Sequence, residues 1–338
     1  MDSSSAMVRW VHRPEGSNWG NFGPDDQVGR MNLITNTIRR AAMDEVVDGQ
    51  AFALSLPLDC PGGVGLADSR LPPRLFSSVH DGHQMSNLPL GDSDVCNDDA
   101  VTLFTQYSTQ WDSLAHWGRL FDADGDGLAE PVFYNGYRAD LQVRAGTRSE
   151  GMGSQSLGIE NLAVTGVQGR GVLVNLVEAF GPERTWIDLA RLKDAMRAQN
   201  VEVRPGDFLL LYTGFGDELM RMYGAPDRVA LEKVGTVLDG SDNALLEWID
   251  KSGVVAICSD NMAVEGFDPA LQKSGVKGLL PLHDLCLFRL GIHLGELWWL
   301  TDLARYLAEH RRHAFLLTAP PLRLPGAVGS PVTPVATV

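Results

Sequence analysis

Four short apolar runs, at residues 171–176, 207–213, 254–259 and 314–318, are each bounded by turn-forming residues and read as strands, 254–259 as a buried one. Segments 187–199, 243–250 and 301–310 read as helices, the first with its apolar residues gathered on one face. This alternation predicts an α/β fold. Upstream, 51–58 and 100–107 also read as strands. The stretch between them, 58–99, is rich in Gly, Pro, Ser and Asp and far exceeds ordinary loop lengths, so it is expected to be functional or disordered. No internal repeat is visible. The Gly224-Ala225-Pro226 break is too slight to divide the chain, so residues 1–338 are expected to form a single domain, with an N-terminal extension over about 1–15 and a Pro-rich tail over about 320–338.

Chemistry concentrates between Gln106 and His116, which read Gln106-Tyr107-Ser108-Thr109-Gln110-Trp111-Asp112-Ser113-Leu114-Ala115-His116. If the first part is extended, the even offsets place Gln106, Gln110 and Asp112 on one face, because strand side chains alternate with period two. Two amide oxygens and a carboxylate would leave a divalent cation with open positions, as water activation requires. His116 follows where the chain must turn. The competing reading is the solvated face of an edge strand with an ordinary structural histidine. Against it stand the apolar run 101–104 and the aromatics Tyr107 and Trp111, since polar groups on an apolar segment need partners.

The segment resembles the signature of the cyclase family of metal-dependent hydrolases, which includes bacterial kynurenine formamidase and isatin hydrolase. The family pattern is His-x-Gly-Thr-His-x-Asp-x-x-x-His. Here Thr109, Asp112 and His116 are in register, while Gln106, Ser108 and Gln110 replace His, Gly and His. Replacement of both histidines by Gln is similar to the trans-dienelactone hydrolase-like branch. The resemblance extends to residues 17–29 (Ser-Asn-Trp-Gly-Asn-Phe-Gly-Pro-Asp-Asp-Gln-Val-Gly), to 169–174, to Pro205-Gly206-Asp207 with Thr213-Gly214, to Ser259-Asp260-Asn261, and to 283–296, covering roughly 15–320. It implies a β/β/α arrangement of sheets rather than a doubly wound one, and a homo-oligomer. It also implies that a downstream His and Glu close the site around the metal, positions matched here by His283 and Glu296. The plain alternative for those two is a helix-start histidine and a surface glutamate. His293, between Ile292 and Leu294, is expected to be structural or to back the site.

Other motifs are weaker. Ser259-Asp260-Asn261 could bind a ligand or form a helix cap or Asx-turn, and Glu265 shares that ambiguity. Asp122-Ala123-Asp124-Gly125-Asp126-Gly127 looks like a calcium loop, but position twelve is Phe133, so an exposed acidic turn is expected. His80-Asp81-Gly82-His83 is a weak metal signal, and His83 could equally line a substrate pocket. The glycines at 166, 169 and 171 lack dinucleotide spacing. Trp111, Trp117, Phe121, Phe133 and Tyr134 are candidate walls for a flat substrate, and Arg74 and Arg138 candidate anchors for a substrate carboxylate.

Composition narrows the class. Hydrophobic content of 44% supports a substantial core, and a net charge of −15 argues against nucleic acid or an anionic membrane surface as partner. The four cysteines show no CxxC spacing; Cys258 and Cys286 read as buried thiols. Residues 1–7 lack the apolar core of a signal peptide, and no window approaches a membrane span, so a cytoplasmic enzyme is expected.

These readings combine into a metal-dependent hydrolase of a small-molecule substrate. One divalent ion per chain is expected on Gln106, Gln110 and Asp112. Mn²⁺ suits the hard oxygen donors, and Zn²⁺ is what the dienelactone hydrolase resemblance suggests. His116 is expected as general base, with His283 or Glu296 completing the shell or protonating the leaving oxygen, in the opening of a dienelactone-like lactone. The rivals are amide hydrolysis of the formamidase or isatin hydrolase type and a metal-free small-molecule-binding protein.

Overall fold

The computed structural model describes residues 9–63, 65–143, 153–267 and 278–338; the segment 1–7 weighed for a signal peptide lies outside them. A mixed sheet of nine strands forms the centre. In chain order these are β1 (Ala51–Ala53), β2 (Gln110–Asp112), β3 (Gln168–Asn175), β4 (Phe208–Tyr212), β5 (Ala256–Ser259), β6 (His293–Glu296), β7 (Ala314–Thr318), β8 (Gly329–Pro331) and β9 (Val335–Thr337). Across the sheet the order is β1-β9-β7-β3-β4-β5-β6-β2-β8. Strands β3 to β6 run parallel, and the remaining pairings are antiparallel.

The sheet is strongly curled, and the chain itself requires it. Between Pro331 and Val335 the backbone reaches at most ~14 Å. In a flat sheet the spacings separating β8 from β9 in that order would span roughly 34 Å. The rim is stitched by backbone bonds from Leu54 N to Pro334 O (2.7 Å) and from Val332 N to Thr109 O (3.3 Å).

Both faces of the central strands are covered, which is why their sequences are nearly continuously apolar rather than alternating. One face carries Val172, Val174, Leu209, Leu211 and Ile257 against helices α1 (Leu189–Ala198) and α2 (Asn243–Ser252). The other carries Leu173, Phe208, Leu210, Ala256 and Cys258 with helix α3 (Thr301–Glu309). Asp188 and Asp242 cap α1 and α2 by accepting from Arg191 N and Ala244 N. The chain is thus of the expected α/β type, a curled mixed sheet covered by helices in a single domain. Among the described residues, no helix is long and apolar enough to cross a membrane.

Two expectations need correction. The strand expected over 100–107 belongs to a separate exposed ribbon, in which Asp99–Thr102 pairs with Arg74–Ser77; the chain then turns at 105–109 before β2. Nor is 58–99 irregular throughout, since two further small hairpins pair Val79–His80 with His83–Gln84 and Leu88–Leu90 with Asp94–Cys96. These strands are largely exposed and bury no core face, so no periodic apolar pattern announced them.

The opening segment straps the turn that follows His283. Asn18 Nδ2 donates to Leu290 O at 2.7 Å, and Trp19 Nε1 donates to Phe288 O at 2.8 Å. Gly29 crosses Gly291 so closely that a Cβ at 29 would lie 2.1 Å from the Gly291 carbonyl oxygen. The strapped segment, Asp284–Leu290, is a wide π-type turn, a local form that often marks functional sites.

Candidate active site

Antiparallel pairing of β2 with β6 sets the floor of the site by placing Gln110 opposite Glu296. Their side chains meet across the pair, Gln110 Nε2 donating to Glu296 Oε2 at 2.7 Å. Two residues along β2, on the same face, stands Asp112. Both Gln110 and Asp112 are completely buried, and Gln110 Oε1 and Asp112 Oδ2 have no hydrogen-bond partner among the described residues. Buried acceptors are rarely left orphaned, and a bound cation is one standard explanation.

Gln106 reaches the same place from the turn before β2 rather than from the strand. Its Nε2 donates to Asp112 Oδ1 and lies 3.2 Å from His116 Nδ1. The expected oxygen ligand is therefore a donor to Asp112 as it stands, and only turning the amide over would present its oxygen. Arg70 fixes this turn, its Nη1 donating to Gln106 O at 2.8 Å.

His116 sits 3.9 Å from Asp112 Oδ2 through its Nε2, with its side chain 20% exposed. Burial lowers its pKa; Asp112 opposes this, while His283 and Arg70 reinforce it. The ring is thus neutral at pH 7 and free to accept a proton.

His283 lies at the start of the π-type turn and is held by Glu265. Glu265 Oε1 accepts from His283 N and lies 2.8 Å from His283 Nδ1, while its Oε2 accepts from Leu282 N at 2.9 Å. Engagement of Nδ1 leaves Nε2 facing the site, 3.5 Å from Glu296 Oε1. Burial works against a charge on His283, but the bonds to Glu265 and Glu296 outweigh it and raise the pKa to about 10. Burial, with Asp112 adding, pushes the Glu296 carboxyl up to about 7, and His283 partly offsets this.

Ligand atoms of Asp112, His116 and His283 all lie within 4.8 Å of one another. The Asp112 carboxylate, the orphaned amide oxygen of Gln110 and the His283 imidazole, once a cation displaces its Nε2 proton, are donors suited to a divalent ion, and the imidazole makes the set softer than three oxygens alone. Trp117 stands edge-on to His283, ring centroids 5.3 Å apart, and forms one wall. His293 Nδ1 lies 3.0 Å from Asp112 O and braces β2 from behind; burial drops its pKa to about 4.

Several expected contributors sit elsewhere. Trp111 is fully buried on the opposite face of β2, against Trp298 and bonded to Ala319 O, so it is core rather than a wall. Strand alternation predicts this, since Gln110 and Asp112 face the site. Arg74 and His83 lie on the exposed ribbon and hairpin. Arg138 is engaged by Asp124 at 2.9 Å and Glu130 at 3.4 Å. Ser259-Asp260-Asn261 knits strand ends: Asp260 accepts from Thr213 N, Thr213 Oγ1, Gly214 N and Gly216 N. The acidic oxygens of Asp122, Asp124, Asp126 and Glu130 do cluster, yet the three aspartates accept backbone N–H bonds of their own turn. Arg70, which the sequence did not single out, and the buried Glu265 take their importance from contacts distant in sequence.

The Cyclase family model matches residues 52–266. The chain belongs to the Cyclase family. A solved structure described as a novel cyclase is 33% identical, covering 95% of this chain and 97% of its own, with a TM-score of 0.76. Isatin hydrolase A from Ralstonia solanacearum shares 13% identity over 85% of this chain and 91% of its own, TM-score 0.55. An isatin hydrolase bound to the product analogue thioisatinate shares 13% over 90% and 99%, TM-score 0.57. At that identity the two isatin hydrolases share the cyclase fold alone. No curated protein matches the chain in sequence. The family match ends before His283 and Glu296, which the β2–β6 pairing and Glu265 bring to the signature residues of this cyclase chain.

Proposed function

We propose that this Cyclase-family chain is a metal-dependent hydrolase of a small cyclic acyl compound. The observation that carries it is the pair of orphaned buried oxygens, Gln110 Oε1 and Asp112 Oδ2, beside His116 and His283. Asp112, His283 and the Gln110 oxygen would hold one divalent ion, Zn²⁺ or Mn²⁺. Once bound, such an ion polarises an acyl carbonyl and makes water a competent nucleophile near neutral pH.

The chain's own groups do the remaining work. His116, which is partly exposed, accepts the proton from the attacking water at a ring nitrogen. Glu265 fixes the tautomer and tilt of His283. Glu296 is anchored by Gln110 and stands ready to return a proton to the leaving oxygen or nitrogen. Trp117 shields one side from bulk water. A lactone is the substrate class proposed first, because replacement of two imidazoles by Gln resembles the dienelactone hydrolase-like branch. A cyclic amide is the second reading, favoured by the fold shared with isatin hydrolases.

The test is a side-by-side assay of a dienelactone and isatin, with and without prior chelation. Hydrolysis of either that is lost on chelation and restored by Zn²⁺ or Mn²⁺ supports the reading, and the faster substrate decides the class. Turnover unaffected by chelation would refute it.

A further inference from the structure

A cavity of about 590 Å³ opens beside the loop that carries Glu265, within the size range of small-molecule sites. Its walls are mainly apolar and aromatic, with Leu66, Trp186, Phe215 and Phe267 among them. Trp186 lies directly over Gly266, where a Cβ would meet the indole at 2.4 Å. The bare backbone next to Glu265 thus lets the ring close the cavity.

Four charged residues line it. Glu265 is committed to His283 and Leu282 N, and Arg228 bonds Asp68 at 2.6 Å. Glu232 is exposed. Arg184 differs: its Nε and Nη2 donate only to the carbonyls of Glu232 (3.1 Å) and Leu231 (3.2 Å), and among the described residues it makes no ion pair. Burial lowers its pKa, with Glu232 only partly opposing. A partly desolvated guanidinium without a carboxylate partner is costly, and its planar fork matches a carboxylate.

We propose that this cavity binds a small planar monocarboxylate, its ring against Trp186, Phe215 and Phe267 and its carboxylate on Arg184. One guanidinium bonded only to neutral carbonyls, with no ion pair among the described residues, selects a single negative charge, and the aromatic lining selects a flat apolar body. The proposal does not depend on the hydrolase reading.

Calorimetric titration with benzoate tests it, using benzyl alcohol as the neutral counterpart. Benzoate is expected to bind the wild type and to bind Arg184→Gln at least ~10-fold more weakly, with benzyl alcohol unchanged between the two. Trp186→Ala is expected to weaken both probes. Binding should persist in Asp112→Ala, which separates this cavity from the metal site. Arg184→Lys, retaining the charge without the fork, should fall between wild type and Arg184→Gln and covers the case in which the glutamine variant does not fold. Absence of benzoate binding at millimolar concentration, equal binding to the wild type and the Arg184 variants, or loss of binding in Asp112→Ala would each overturn the proposal.

Discussion

Gln110 donates its amide nitrogen to Glu296 at 2.7 Å across the β2–β6 pair. That bond commits the nitrogen and leaves the buried amide oxygen with no donor among the described residues. A glutamine orients its oxygen only if its nitrogen is held, and Glu296 holds it. Gln110 is therefore oriented by a residue far downstream, on a neighbouring strand.

Replacing Glu265 by Gln should uncouple His283. Glu265 is an acceptor to three donors, two backbone and one imidazole, and an amide cannot accept all three without pointing an N–H at one of them. A stability loss of about 1–3 kcal/mol is expected in chemical denaturation. The pH–rate profile should also shift, because the tautomer of His283 is no longer fixed. An unchanged profile would contradict the positioning role.

His116→Ala should reduce turnover by ~10²–10⁴-fold while metal content stays near the wild-type value. Elemental analysis of that variant decides between the roles open to this imidazole. Loss of metal along with activity would make His116 a ligand rather than the proton acceptor.

Thiol reactivity should divide the four cysteines unequally. Cys60, Cys258 and Cys286 are buried, while Cys96 is partly exposed. Burial, helped by Asp59, pushes the Cys60 thiol up to about 12, and burial raises Cys258 and Cys286 as well. Ellman titration at pH 8 should count about one thiol in the native protein and four after unfolding. Because the unfolded chain ionises Cys60 near 9 while the folded chain holds its proton to about 12, stability should fall as pH rises through that window. Cys60→Ala should make this alkaline limb shallower without abolishing it, since Cys258 and Cys286 keep their raised thiols.

Gly29→Ala should destabilise the fold by more than about 3 kcal/mol and impair activity, although Gly29 touches no site residue. A Cβ there would collide with the Gly291 carbonyl at the end of the strapped turn behind His283. Thermal unfolding measures the first effect. An alanine variant with wild-type stability would show that the strap can shift freely.

Much of this was readable from the chain. The central strands betrayed themselves because both their faces are buried, which demands apolar residues throughout. Gln110 and Asp112 share a face as the alternation predicts, whereas Trp111, expected as a substrate wall, faces the core. Gln106 does not follow the alternation, since it arrives from a turn. The ribbon formed by 74–77 and 99–102 was invisible as a pair because it buries nothing. Glu265 and Arg70 act through contacts to His283 and to the Gln106 carbonyl, and no local pattern marks such long-range partners.

The most direct test is metal content. Elemental analysis of protein purified without chelator, beside Asp112→Ala with its folding confirmed by circular dichroism, should find about one Zn or Mn per wild-type chain and none in the variant. Wild-type protein that carries no metal, and takes none up from added Zn²⁺ or Mn²⁺, would contradict the account and leave a metal-free binding protein in its place.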